Sequence, residues 1–376
     1  MMIAFVLVVG CWLVAAPDAI EGPPRFSQVV ILQLEASFNA GRFDDVDKLL
    51  DRLESRDADA MLMARYRGLV AVAREDFETA AVQLGAAIEL GDQAPVVSLY
   101  LAHAQMRLGR ANDALVRLEN VGSSLESGLS AALIRARAYR AIGRSTEAYE
   151  TLRDASSRFE DSMLLVIELI VLCVELELLG ESVRWIEVAA SRENVEPEDA
   201  LAIIELSYRN PNALEALEQL ALRFRGDPDI QGHLAYGYAE AGHAYLDARL
   251  FSTATLLGGD YAFEAADQYR LVRDYNAALR FNGWVPSERR RLRQRIAILF
   301  EAEQWSRVVA LEPGWQRLRN PDDVLRYQTA YAYYRLGRPV RATEVARSVK
   351  DGPWEESASL LVQAMDRARS NDFIRD

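Results

Sequence analysis

The chain has 376 residues, 50% hydrophobic and 26% charged, with a formal net charge of −13 and two cysteines. That negative balance excludes a general nucleic-acid binder, because phosphate contacts need clustered Lys and Arg. No sustained alternation of apolar and polar residues calls for strands, and Gly and Pro stand mostly as punctuation, which leaves helices that bury one face on the next.

The first element is the apolar run Met2 to Ala16. It is long enough for the core of an export signal and short for a membrane span. Val8-Val9-Gly10-Cys11 resembles a lipoprotein processing site, which would make Cys11 a lipidated first residue. A cleaved signal, a lipoprotein and an uncleaved anchor all remain open. The other cysteine, Cys173, sits among the mostly apolar residues Ile167 to Leu179 and reads as an inert buried thiol.

A repeated pattern follows. Gly109-Arg110 is followed by Ala114, and Gly143-Arg144 by Ala148, with Ala102 and Ala136 seven residues before each glycine. Gly41 and Glu75 continue the series upstream, so four turn residues stand at equal steps of 34. Small residues at Gly68, Ala102 and Ala136 let one helix approach the next, and Ala80, Ala114 and Ala148 accept it from the other side. The turn glycine supplies the left-handed conformation that ends a helix.

On these residues, with Tyr139 at the tyrosine position and Ala87 and Ala155 at the later alanine, the chain resembles the tetratricopeptide repeat family in degenerate copies. The resemblance implies an all-α fold, an α-solenoid of stacked antiparallel helix pairs forming a superhelix, and a role in binding proteins.

Beyond Phe159 the match weakens. Ser162 to Gly180 reads as a strongly apolar first helix, with Glu168, Glu175 and Glu177 arguing against a membrane span, and Gly180 as its turn, 37 residues after Gly143. Pro197 opens a helix, and Asn210-Pro211 separates it from Ala213 to Phe224. The pattern returns with Ala235, Tyr238 and Gly242, then Ala266, Tyr269 and a turn at Arg273-Asp274-Tyr275; Gly258-Gly259-Asp260 between them reads as a helix stop followed by a cap. A unit from Ser287 to Leu311 turns at Glu303-Gln304-Trp305, and the last has Ala330, Tyr333, Gly337 and Ala342. Trp354 to Arg369 reads as a closing helix. The sequence therefore divides into a signal or anchor (1–19), an N-terminal array (27–160), degenerate repeats or a joint (161–226), a C-terminal array (227–350) and a capping helix (354–370).

Function must come from positions that packing leaves free. The family resemblance places the groove-facing positions of a first helix 13, 10, 6, 3 and 2 residues before the turn. These select Leu99 and His103, Leu133 and Arg137 in the best-preserved copies, which are not distinctive. In the last two units they select Arg290, Arg293 and Phe300, then Tyr327, Tyr331, Tyr334 and Arg335, an aromatic and basic set. From Arg289 to Lys350 there are 14 Lys and Arg against 6 Asp and Glu. Such a groove suits an acidic or carboxylate-bearing segment of a protein partner, or an acidic glycan. The competing reading makes Arg289, Arg290, Arg291, Arg293 and Arg295 a solvated helix face and packs Tyr331 to Tyr334 between helices.

Catalysis finds no support. His103, His233 and His243 have no metal-ligand spacing, and no phosphate-cradling loop or nucleophile elbow is visible. The expectation is a non-enzymatic scaffold without cofactor or metal, exported to a bacterial periplasm or envelope and serving a secretion, pilus, motility or polysaccharide-export assembly. The alternative is a carbohydrate- or peptidoglycan-binding module. Membrane association would come only through a retained or lipidated N-terminus.

Overall fold

The computed structural model describes residues 26–54, 59–119, 121, 125–319, 321–350 and 352–372. The segment 1–19, with its export and Cys11 lipidation readings, lies outside the described residues. Among the described residues every regular element is helical, and none is long and apolar enough to cross a membrane. The chain falls into two compact units, one ending at Glu181 and the other starting at Ser182.

The first unit contains α1 (Phe26–Asn39), α2 (Phe43–Glu54), α3 (Ala60–Ala73), α4 (Phe77–Glu89), α5 (Pro95–Arg107), α6 (Ala111–Leu118), α7 (Leu125–Ala141), α8 (Ser145–Ser156) and α9 (Met163–Glu175). Helix α10 (Leu179–Ser191) carries the division between the units in its first turn. The second unit continues with α11 (Pro197–Ser207), α12 (Leu214–Leu222), α13 (Pro228–Glu240), α14 (Ala244–Leu256), α15 (Ala262–Leu271) and α16 (Tyr275–Asn282). It ends with α17 (Glu288–Glu301), α18 (Trp305–Ala310), α19 (Glu312–Gln316), α20 (Asp323–Arg335), α21 (Pro339–Ala346) and α22 (Pro353–Asp372).

Helices pack in consecutive pairs, α1 on α2, α3 on α4, α5 on α6 and α7 on α8 in the first unit, and α13 on α14, α15 on α16 and α20 on α21 in the second. Amphipathic spacing drives the pairing. In α2 the buried residues Val46, Leu49, Leu50 and Leu53 recur at three- and four-residue intervals, so one stripe faces inward. Small residues bring the axes together: a Cβ built on Gly68 would lie 2.6 Å from Leu84 Cγ on α4, so only glycine permits this approach.

One turn is used over and over. At Gly109 (φ 75°), Gly109 N donates to Met106 O at 3.1 Å and Arg110 N to Gln105 O at 2.8 Å. This is the left-handed cap that satisfies the last carbonyls of a helix. The same i to i−5 bond closes the turns at Gly41, Glu75, Gly143, Glu177, Gly242, Arg273, Glu303 and Gly337, where φ lies between 54° and 79°.

That geometry corrects one sequence expectation. The turn after Gly143 is not at Gly180, which lies inside α10, but at Glu177, where φ is 56° and Leu178 N donates to Cys173 O at 2.8 Å. Turn residues 41, 75, 109, 143 and 177 therefore keep a constant step of 34. One smaller expectation also changes. Asp260 does not cap α15, whose N-cap is Tyr261 without a side-chain bond. The helix after Glu303 breaks into α18 and α19, the second holding Pro313 in its first turn, where the missing N–H costs nothing.

Five residues past the turn, the second helix presents Val46, Ala80, Ala114, Ala148, Ala278, Val308 or Ala342, each with no exposed surface. At the turn of Gly242 that place is taken by Asp247, 1% exposed. The closing helix α22 contributes Ala358, Leu361 and Met365 to the core of the last repeats.

Candidate binding groove

In the second unit the first helices α15, α17 and α20 bring their free faces to one groove of about 440 Å³. Phe263, Asp267 and Arg270 come from α15, Arg290, Arg293, Gln294 and Ala297 from α17, and Val324 and Gln328 from α20. Of the residues projected from turn spacing, Arg290 and Arg293 line this groove together.

A polar strut sets the distance between α15 and α17. Gln294, buried, donates from Nε2 to Phe263 O at 2.8 Å and accepts at Oε1 from Asn282 Nδ2 at 3.2 Å. Asn282 Nδ2 also reaches Arg291 O at 2.9 Å. Burying an amide demands such partners, and their fixed geometry holds the floor of the groove. Sequence reasoning missed Gln294, because it lies one residue beyond the projected groove position at Arg293.

Three arginines face three carboxylates here, and the pairing is uneven. Arg270 takes two of them, Asp267 at 2.9 Å and Glu301 at 2.5 Å, and is neutralised. Arg293, with 63% of its side chain exposed, only approaches Asp322 at 3.6 Å. Arg290 pairs with no carboxylate among the described residues; its guanidinium lies 4.2 Å from the Phe263 ring centre, held by a cation–π contact.

The aromatic residues form a second cluster. Phe300, Trp305 and Tyr331 contact one another with ring centres 5.3–5.7 Å apart and planes 56–82° apart. Tyr327 stacks on Trp354 of α22 at 5.1 Å. Phe300, Tyr327 and Tyr331 are half-buried against the core, and burial raises the Tyr327 phenol above its usual range. Tyr334 is 40% exposed. Arg335 is exposed and lies 4.7 Å over Trp305, and its Nη1 donates to the Tyr331 hydroxyl at 3.5 Å. None of these residues lines the groove that holds Arg290 and Arg293.

In the first unit Leu99 and Leu133 are buried at 7% and 3% exposure rather than free. His103 packs edge-on to Phe77 at 5.8 Å, and burial, with Arg107 and Arg137 nearby, pushes its pKa down to about 4. It is a neutral packing residue at physiological pH. Cys173 is fully buried and its thiol is pushed up to about 12 by desolvation, which removes thiolate chemistry.

The chain is thus an all-α array of consecutive antiparallel helix pairs with a groove along its first helices. No family model matches it, and no curated protein matches it. Among solved structures it is similar to a tetratricopeptide repeat protein from Parabacteroides merdae ATCC 43184, at 12% identity over 81% of this chain and 98% of that one, with a TM-score of 0.35. It is also similar to the APC/C hetero-tetramer Cut9–Hcn1, at 9% identity over 92% of this chain and 84% of that one, with a TM-score of 0.34.

Proposed function

We propose that the chain is a non-catalytic protein-interaction scaffold whose second unit receives an acidic, carboxylate-bearing segment of a partner along α15, α17 and α20. The observation that carries this reading is Arg290, a guanidinium stacked on Phe263 and left without a carboxylate among the described residues. A stacked fork loses little freedom when a carboxylate arrives, so its contact is strong for its size. Arg293 adds a second donor, and Tyr334 and Arg335, outside this groove, offer an exposed ring and a second stacked arginine, the latter 3.7 Å from Glu303.

The apolar run Met2 to Ala16 supports placing this work in a bacterial cell envelope, in service of a larger secretion, pilus, motility or polysaccharide-export assembly. Cell fractionation of the full chain tests that placement.

The groove is tested with a photo-crosslinking residue placed at Gln328 and the full chain expressed in cells. Recovery of one protein, joined through an Asp- or Glu-rich segment, is the expected result. Joining to an acidic glycan alone would replace the scaffold reading with a carbohydrate-binding one, and a product unchanged by Arg290→Ala would overturn the role given to that arginine.

A further inference from the structure

The second unit carries another opening on its second helices, and it shares no lining residue with the first-helix groove. It has a volume of about 460 Å³, within the ~300–1,000 Å³ of ligand-sized clefts. Helices α12 and α14 flank it and α13 forms its floor, where Leu234 is buried. Its rim is apolar and uncovered: Leu222 on α12 is 54% exposed and Leu246 on α14 is 47% exposed, while Leu250 one turn on is half-buried. Tyr245 and Leu256, also on α14 but outside the lining, are 56% and 64% exposed. Clustered apolar exposure of this kind marks a contact surface, whereas single exposed leucines do not.

Charge decides what fits. Arg225 and Arg249 line the same opening, both are exposed, and neither has a carboxylate partner among the described residues. One carboxylate, the half-buried Glu218, shares the lining with them. In a chain of net charge −13, two arginines left unpaired beside uncovered leucines form a local receptor for carboxylates. Leu246 and Leu250 stand four residues apart on one helix, a spacing that meets the i, i+3, i+4 stripe of a docked helix.

We infer that this opening docks an amphipathic acidic helix of a partner protein, its apolar stripe on Leu222, Leu246 and Leu250 and its carboxylates on Arg225 and Arg249. The inference stands apart from the first-helix groove, so that either surface can fail alone. Together they would let one chain hold two partners.

The test uses the full chain and a labelled synthetic peptide, about five helical turns long, with a leucine stripe flanked by glutamates. Two controls carry lysines in place of the glutamates or serines in place of the leucines. Fluorescence polarisation is expected to show saturable binding of the acidic peptide only. Binding should weaken by at least about tenfold, the weight of one charge-assisted contact, in the double variant Arg225→Glu/Arg249→Glu, and should also weaken in Leu246→Ser. Arg290→Ala should leave it unchanged, which separates this site from the first-helix groove. The two arginines are exposed, so their variant keeps the test valid even where Leu246→Ser melts early. Equal binding of the lysine peptide, no binding of the acidic one, or indifference to the arginine variant would each overturn the inference. So would sedimentation showing self-association through this face, lost in Leu246→Ser, since a second copy of the chain would then be its occupant.

Discussion

The Arg290 guanidinium rests 4.2 Å from the centre of the Phe263 ring, one first helix away, while Arg270 beside it is held between Asp267 and Glu301. Two arginines of one groove thus have opposite availability. Arg290→Ala should weaken an acidic partner peptide by about tenfold, and Arg290→Lys should keep only part of that loss, because an ammonium holds charge but neither fork nor stack. Phe263→Leu should cost about 0.5–1 kcal/mol of binding, the value of an exposed cation–π contact. Titration calorimetry with an Asp- and Glu-rich peptide reads all three. Equal affinity of Arg290→Lys and the parent chain would show that stacking contributes nothing.

The repeated turn predicts paired stability effects. Glu177, Glu75, Arg273 and Glu303 occupy the left-handed region with φ of 54–62°, where an L side chain is disfavoured. Glu177→Gly should stabilise by about 1 kcal/mol, less the flexibility glycine adds to the unfolded chain. Gly109→Ala should destabilise by a similar amount. An added Cβ at Gly109 meets nothing within 4 Å, so its effect is backbone strain alone. Thermal melts of the two variants should move in opposite directions.

These turns also explain how much was legible. The 34-residue step could be read because close packing forces small residues at fixed intervals, as at Gly68 and Ala80. After Gly143 the step is obscured because Glu177 takes the left-handed conformation in a run of acidic and apolar residues, while the nearby Gly180, which resembles a turn, lies within a helix. The groove was half legible. Turn spacing puts Arg290 and Arg293 on the surface, but the same rule picks Leu99 and Leu133, which the neighbouring helices cover. Side-chain burial depends on the facing helix, which no count along one chain contains. The opening between α12 and α14 had no signature at all, since Leu222 and Leu246 read as ordinary members of amphipathic helices.

Within the first unit, Glu168 on α9 is 8% exposed and accepts from Arg137 on α7 through Nε at 3.1 Å and through Nη2, with Arg140 Nη1 at 3.6 Å. Arg140 continues the chain to Glu175 through Nε at 3.0 Å. Removing one member of such a set leaves charge without compensation in a poorly solvated place. Glu168→Ala should therefore destabilise α9 by about 2 kcal/mol, and Glu168→Gln, which keeps an acceptor, by about half as much. Hydrogen exchange of α9 amides is the measurement. Unchanged protection in Glu168→Ala would mean that the pairs only decorate the surface.

Asp247 stands where seven of the other turns place Ala or Val and the Glu177 turn places Ser182, and its Oδ1 has no hydrogen-bond partner among the described residues. Burial raises its pKa from the usual carboxylate value to about 6, against a smaller opposing pull from the Ala248 backbone N–H. The folded chain consequently holds this proton more tightly than the unfolded chain, whose aspartate titrates near ~3.9. Between those two values the native state binds more protons, so this carboxyl's contribution to stability falls as pH rises from ~4 to about 6 and is level above. The full loss is on the order of 2–3 kcal/mol. Asp247→Ala restores the residue type that the packing favours and removes the titration. It should melt higher than the parent chain at pH 7.5, with a gain that holds down to about pH 6 and shrinks from there to pH ~4. Taking the difference between the two proteins at each pH cancels the carboxylates they share. A gain of the same size at pH 4 and pH 7.5 would show that Asp247 titrates as an ordinary surface acid.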